Sequence, residues 1–178
     1  QAANVKVTGN STLNLGLTGA TVVGQIDVVT LTVDDGLDAV NSFTLTTPDL
    51  AGVETLNIIA NDDVTINTLA NAAALTNVAV TGEGDVSITS GALALNVNSV
   101  IDASAVNADV TLDFSGAGAG PNGVFLKAGN GDNALKATAA NDIINAGNGN
   151  NTIDTGNGIN TVTVGNGNND ITTGIDID

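Results

Sequence analysis

From Asn4 to about Phe114, apolar and polar residues alternate with the two-residue period of a half-buried strand. The clearest runs are VKV at 5–7, TLNLGL at 12–17, VTLTV at 29–33, FTLT at 43–46, TLNI at 55–58 and VTI at 64–66. VAV at 78–80, VSI at 86–88, ALALNV at 92–97 and VTLDF at 110–114 follow. Between them lie Gly, Asn, Asp, Ser and Thr, the residues of turns. From Val33 onward the runs recur every ten to fourteen residues, a spacing that suits half-turns of a coil and also an ordinary β-sandwich. With three phenylalanines and no Trp or Tyr, the chain has almost none of the aromatics a sandwich core tends to use, which favours the coil. The single candidate helix, LANAAAL at 69–75, is short enough to be a loop instead.

In the last third the pattern tightens. Ala128 to Asp178 repeats every nine residues without a gap: AGNGDNALK, ATAANDIIN, AGNGNNTID, TGNGINTVT, VGNGNNDIT and a truncated TGIDID. Position 2 is glycine in every copy but the second, where it is Thr138, and position 8 is always apolar: Leu135, Ile144, Ile153, Val162, Ile171. A fixed short period with one buried residue per unit is the mark of a solenoid whose units stack only on their neighbours. Glycines at positions 2 and 4 permit a tight turn, and the residues around position 8 form a very short strand. Antiparallel hairpins at the Asn-Gly pairs are the competing reading, but they need neither the second glycine nor the strict count. The predicted fold is all-β: a parallel β-solenoid, irregular over residues 1–127 and continuous with a tight nonapeptide roll over 128–178. Copies two apart then share an edge, so Asn133, Asn151 and Asn169 stack on one edge and Asp142, Asn160 and Asp178 on the other.

Charge narrows the partners. Nineteen acidic residues stand against Lys6, Lys127 and Lys136, with no arginine, for a formal net charge of −16. Nothing is available to neutralise phosphates, so nucleic acid is excluded, whereas cations are favoured. Cysteine, histidine, arginine, tyrosine and tryptophan are all missing, which removes most bases, nucleophiles, anion clamps and sugar-stacking platforms. A carboxylate-only glycosidase is the residual catalytic option, and the expectation is no enzyme. No run of eighteen apolar residues exists to span a membrane. Beginning at Gln1, with no basic, apolar leader, the chain reads as a processed protein or a fragment.

The repeat resembles the glycine-rich nonapeptide GGxGxDxUx of RTX proteins, whose parallel β-roll holds calcium between stacked turns. That resemblance implies Ca2+ held by turn carbonyls and the position 6 carboxylate. Here position 6 is aspartate only at Asp142 and Asp178; Asn133, Asn151, Asn160 and Asn169 fill the other copies. The expectation is an eroded roll with few ions, in which stacked asparagines bond along the edge in place of some of them. Candidate ligands are Asp142, Asn160, Asp176 and Asp178 on the second edge, with Asp132 and Asp170 adding charge on the first. Among the acidic turns nearer the start, Asp34, Asp35 and Asp38 in DDGLD form the best cluster; Asp62 with Asp63, and Glu83 with Asp85, read as solvated turns.

GVETLNI at 52–58, LTNVAVTGEGDVSI at 75–88 and IDASAV at 101–106, followed by the nonapeptides, are similar to calcium-dependent bacterial surface-layer proteins of the RTX type. This implies a secreted, extracellular solenoid at the bacterial cell surface. Its expected partners are copies of itself in a lattice or filament, with cell-surface polysaccharide beside them. Strand-like sequence near Gln1 and repeats running to Asp178 leave coil edges that could pair with another chain. A calcium-dependent adhesin or biofilm-matrix segment is the alternative, signalled by an inserted loop or aromatic patch. An ice-binding solenoid would need a single column of threonines, which Thr152, Thr155, Thr161, Thr163, Thr172 and Thr173 do not form.

Overall fold

The computed structural model describes residues 2–8, 12–13, 26–36, 42–46, 48–69, 72–95, 98–118 and 123–176. Their strands are β1 (Ala2–Val7), β2 (Thr12–Leu13), β3 (Val28–Val33), β4 (Ser42–Leu45), β5 (Thr55–Ala60), β6 (Asp63–Ile66), β7 (Asn77–Gly82) and β8 (Val86–Thr89). The second half continues with β9 (Ser99–Val106), β10 (Val110–Asp113), β11 (Val124–Ala128), β12 (Ala134–Lys136), β13 (Ile143–Ala146), β14 (Thr152–Asp154), β15 (Thr161–Val164) and β16 (Asp170–Thr172). Odd-numbered strands form one eight-stranded sheet and even-numbered strands the other, each in chain order. Every pairing is parallel, so the chain crosses from sheet to sheet at each turn and returns one rung further along. This is a β-solenoid, and it excludes both the hairpin and the sandwich readings.

The interior is built from columns of like residues, because the parallel register places each inward side chain over the equivalent one a coil earlier. Leu45, Ile66, Ile88, Leu112, Leu135, Ile153 and Ile171 form one such column along the even sheet. Val29, Leu56, Val78, Ile101, Leu126, Ile144 and Val162 face it from the odd sheet. Coil length divides the molecule. In the odd sheet a coil takes 22 to 27 residues as far as β11, and 18 from there on. The longer coils bury additional loop residues, among them Leu50, Leu69, Leu75, Leu93 and Phe114, while the short ones have no loop left over to bury. The sheets run through Ala128 without a break, since β11 pairs with β9 on one side and β13 on the other.

Two readings change, and one strand is added. LANAAAL forms no helix: its described residues are turn and loop, with Leu69, Ala72 and Leu75 turned into the core. The described residues of ALALNV, 92–95, form no strand: Leu93 and Leu95 are buried, and their ladder contact is an isolated bridge from Ala94 to Gly118. VFLKA at 124–128, which lacks a strict apolar–polar alternation, does form a strand and carries Phe125 outward. Residues 14–17 of TLNLGL lie outside the described residues.

Candidate metal centre

The roll turns inward at position 6, and the first edge shows what the sequence does there. Asn133 Nδ2 donates to the carbonyls of Gly129 at 3.1 Å and Gly131 at 2.7 Å, which are positions 2 and 4 of its own turn. It also reaches Asn151 Oδ1 of the next coil at 2.8 Å. Asn151 repeats the set with Gly147, Gly149 and Asn169 at 3.2, 3.2 and 2.7 Å. Asn169 bonds Gly165 and Gly167 at 3.2 and 3.4 Å. The side-chain oxygens face the opposite way: Oδ1 of Asn133, Asn151 and Asn169 accept the backbone N–H of Val110, Asn133 and Asn151. The glycines are required by closeness as much as by φ. Gly149 and Gly167 sit at φ 118° and 136°, and a Cβ on either would run into the carbonyl of the turn above.

On the second edge Asp142 is 1% exposed. Its carboxylate accepts Val124 N–H at 2.7 Å, Thr138 N–H at 3.0 Å and the Thr138 hydroxyl at 2.9 Å. Burial pushes this carboxyl above the ordinary aspartate range, with the bonds from Val124 and Thr138 pulling it partly back. Thr138, where the pattern calls for glycine, therefore caps a buried carboxylate. Asn160 Oδ1 accepts Asp142 N–H at 2.8 Å, and its Nδ2 donates to the carbonyls of Asn157 and Gly158. Asp176 accepts Gly158 N–H at 3.0 Å.

The remaining candidates are scattered. Asp132 accepts Asn150 N–H, whereas Asp170 lies on the outer face of β16 beside Thr152 of β14. Asp34 bonds Gly36 N–H and Lys6, and these two contacts hold its carboxyl below the usual range. Asp35 donates its N–H to Asp62. Asp38 and Asp178 lie outside the described residues. Among the described residues no three acidic side chains converge on a point that could hold a metal.

One feature of the edge escaped the sequence reading. Asp63, Asp85, Asp109 and Asp132 stand in a single column, continued by Asn150 and Asn168. Each side-chain Oδ1 accepts the backbone N–H of the next member, at 2.7 to 3.0 Å. The signal was available: DVTI, DVSI, DVTL and DNAL place an aspartate at or just before the start of β6, β8, β10 and β12, and the nonapeptides beginning at 146 and 164 put asparagine there. Asn130, Asn148 and Asn166 form a parallel outer ladder at position 3.

Calcium needs oxygen ligands. The carbonyls of positions 2 and 4 supply them, but on the first edge N–H groups already point at those oxygens. Among the described residues no buried side-chain nitrogen or oxygen is left without a partner, so no orphaned oxygen marks an ion position. The first edge does not fit the ion; on the second edge the described position 6 carboxylate is that of Asp142, and Asp176 lies at the Gly158 N–H of the turn that follows.

No curated protein and no solved structure matches the chain. A family does: the RTX calcium-binding nonapeptide repeat, four copies to a unit, matches residues 127–162 and again 146–178. RTX repeat proteins are typically secreted, and no helix among the described residues is long and apolar enough to cross a membrane. The matched span coincides with the coils of 18 residues, with glycine turns and with one apolar residue per half-coil, and so residues 127–178 form an RTX-type calcium-binding β-roll.

Proposed function

We propose that this protein is an extracellular structural element, a stiff acidic β-solenoid that assembles with copies of itself into a surface layer or filament at the bacterial cell surface. The observation that carries this reading is continuity. Eight strands of each sheet follow one another in chain order, with one register shift, between β7 and β9. The outer face of the even sheet stays polar along columns such as Thr44, Thr65, Ser87 and Thr111. A rod of this kind transmits load and presents the same surface many times, which suits a lattice better than a reaction. The chain's lack of histidine, cysteine, arginine, tyrosine and tryptophan supports a non-catalytic role. At a net charge of −16, copies repel one another, and calcium is the counter-ion that would let them approach.

An adhesin or biofilm-matrix segment is the second reading, and one observation favours it. Val100, Phe125 and Ile143 stack on the outer face of the odd sheet, with the Lys127 ammonium 4.7 Å from the Phe125 ring centre. An apolar patch beside a cation is suited to a foreign ligand such as cell-surface polysaccharide. Light scattering and negative-stain microscopy, with calcium and after chelation, separate the two. Ordered particles that dissolve on chelation are expected for the layer or filament. A folded monomer under both conditions would remove self-assembly and leave the ligand-binding segment.

A further inference from the structure

In the turns at 128–133, 146–151 and 164–169 the position 6 amide nitrogen lies against the two carbonyls that a bound cation would use, and in the first two also against the next coil's side-chain oxygen. We infer that the asparagine amide is a built-in replacement for the ion on this edge: the three turns are closed to calcium, stand without it, and confine the metal dependence of the roll to the other edge. The inference rests on the β-roll reading of residues 127–178.

The chemistry follows from the donor inventory. A carboxamide NH2 offers two N–H donors and no lone pair for a metal. Asn133 and Asn151 share these donors among three acceptors each, two turn carbonyls and the next Oδ1. A cation in the same place would meet N–H hydrogens from the ladder instead of oxygens. Turning the amide over to present Oδ1 would aim that oxygen at two carbonyl oxygens and strip the acceptor from the N–H of Val110 or Asn133. Asn133 and Asn151 are each 1% exposed, so water could not take over the lost bonds. Each rung thus closes two carbonyls of its own turn and ties two N–H groups, one backbone and one side-chain, to the Oδ1 of the next coil without any ligand from solution. An aspartate at the same position removes both donors and adds an oxygen, restoring the family's ligand set.

The test uses the full chain in two arms. In the wild type, the side-chain amide NMR signals of Asn133, Asn151 and Asn169 are followed on adding calcium; they are expected to stay in place and to remain protected from exchange in chelator. In the second arm Asn133→Asp, Asn151→Asp and Asn169→Asp are combined. The difference in melting temperature between calcium and chelator is expected to exceed that of the wild type by about 5 °C at calcium a hundredfold above its dissociation constant. Should the triple variant fail to fold, Asn151→Asp alone carries the same comparison. Calcium-induced movement of the three wild-type amides would overturn the inference and leave the calcium-binding roll intact. Aspartate variants that fold yet gain no calcium response would overturn it too, since the amide would then not stand in the ion's place. A wild type in which no residue responds to calcium would remove the calcium reading of the roll while leaving this edge as inferred.

Discussion

Along one edge of the solenoid the same column is filled in two ways. In the wide coils it holds Val64, Val86 and Val110; in the roll it holds Asn133, Asn151 and Asn169. The backbone bonds change with the side chain. Val64 and Val86 donate their N–H to the carbonyls of Asp85 and Asp109 one coil on, whereas Val110, Asn133 and Asn151 donate to an asparagine Oδ1. Coil length is the cause. A coil of 22 residues or more can fold a loop inward and finish its edge with hydrophobic burial. A coil of 18 has only two tight turns, whose carbonyls face inward and must find donors. A valine there would have none to offer.

A reciprocal exchange gives the largest expected effect on this comparison. Val86→Asn takes away a buried apolar side chain and buries an amide among Val64, Val110 and the Leu and Ile columns, where nothing accepts its hydrogens. The expected loss is about 4 kcal/mol of unfolding free energy. Asn151→Val takes away the side-chain donor to the carbonyls of Gly147 and Gly149 and the acceptor of the Asn133 backbone N–H, at an expected cost of about 3 kcal/mol. Denaturant titration measures both, and hydrogen exchange should place each loss in its own region. Costs under about 1 kcal/mol for both would mean that the two fillings are interchangeable and that coil length does not select between them.

How much of this contrast could be read from the sequence depends on how regular each region is. In the roll the period never slips, so the 18-residue stack, the alternation of strands between sheets and the asparagine ladder all follow from counting. Loops of variable length spoil the count in the wide coils. The aspartate column from Asp63 to Asp132 went unnoticed for that reason, although each member precedes a recognisable strand motif. ALALNV misled because inward-facing Leu93 and Leu95 imitate a strand's alternation while packing from a loop. The direction of each amide lay beyond pattern reasoning. That Asn133 gives its hydrogens to glycine carbonyls, and not its oxygen to an ion, depends on which acceptors the neighbouring coils bring within reach.

The junction between the regions is clamped by two of the three lysines, one on each sheet. Lys127 on β11 meets Asp102 on β9 at 2.8 Å, and Lys136 on β12 meets Asp113 on β10 at 3.5 Å. Burial works to raise both carboxyls, but it is outweighed. Bonds from Lys127 and Ser104 hold Asp102 below the ordinary range, and those from Ser115 and Lys136 do the same for Asp113. A depressed folded value gives stability that is full above the unfolded value and lost as pH falls through the folded one. Acid should therefore loosen the junction. Asp142 has the opposite sign: its raised carboxyl binds a proton more readily when folded, so protonation there favours the folded roll. Lys127→Met is expected to cost about 1 kcal/mol at neutral pH. Its stability curve should converge on the wild type below the aspartate range, and a constant gap at all pH values would show that the lysine acts by packing over Phe125 and not by charge.

The smallest expected effect concerns the column that crosses from one region to the other. Asp63, Asp85, Asp109 and Asp132 carry like charges on rungs about 4.8 Å apart, and the roll continues the column with Asn150 and Asn168, which are neutral. Asp109→Asn keeps an Oδ1 to accept Asp132 N–H and removes a charge between two others. It should stabilise the chain by about 0.5–1 kcal/mol at low ionic strength, and the gain should fade in about 1 M salt, where screening acts within about 3 Å. A loss of stability instead would mean that the carboxylate's stronger acceptance of the Asp132 N–H outweighs the repulsion. In that case the wide coils would keep aspartate for the strength of its bond, and the asparagines of the roll would mark turns whose amides have a second acceptor to reach, as Asn150 has in Asp132.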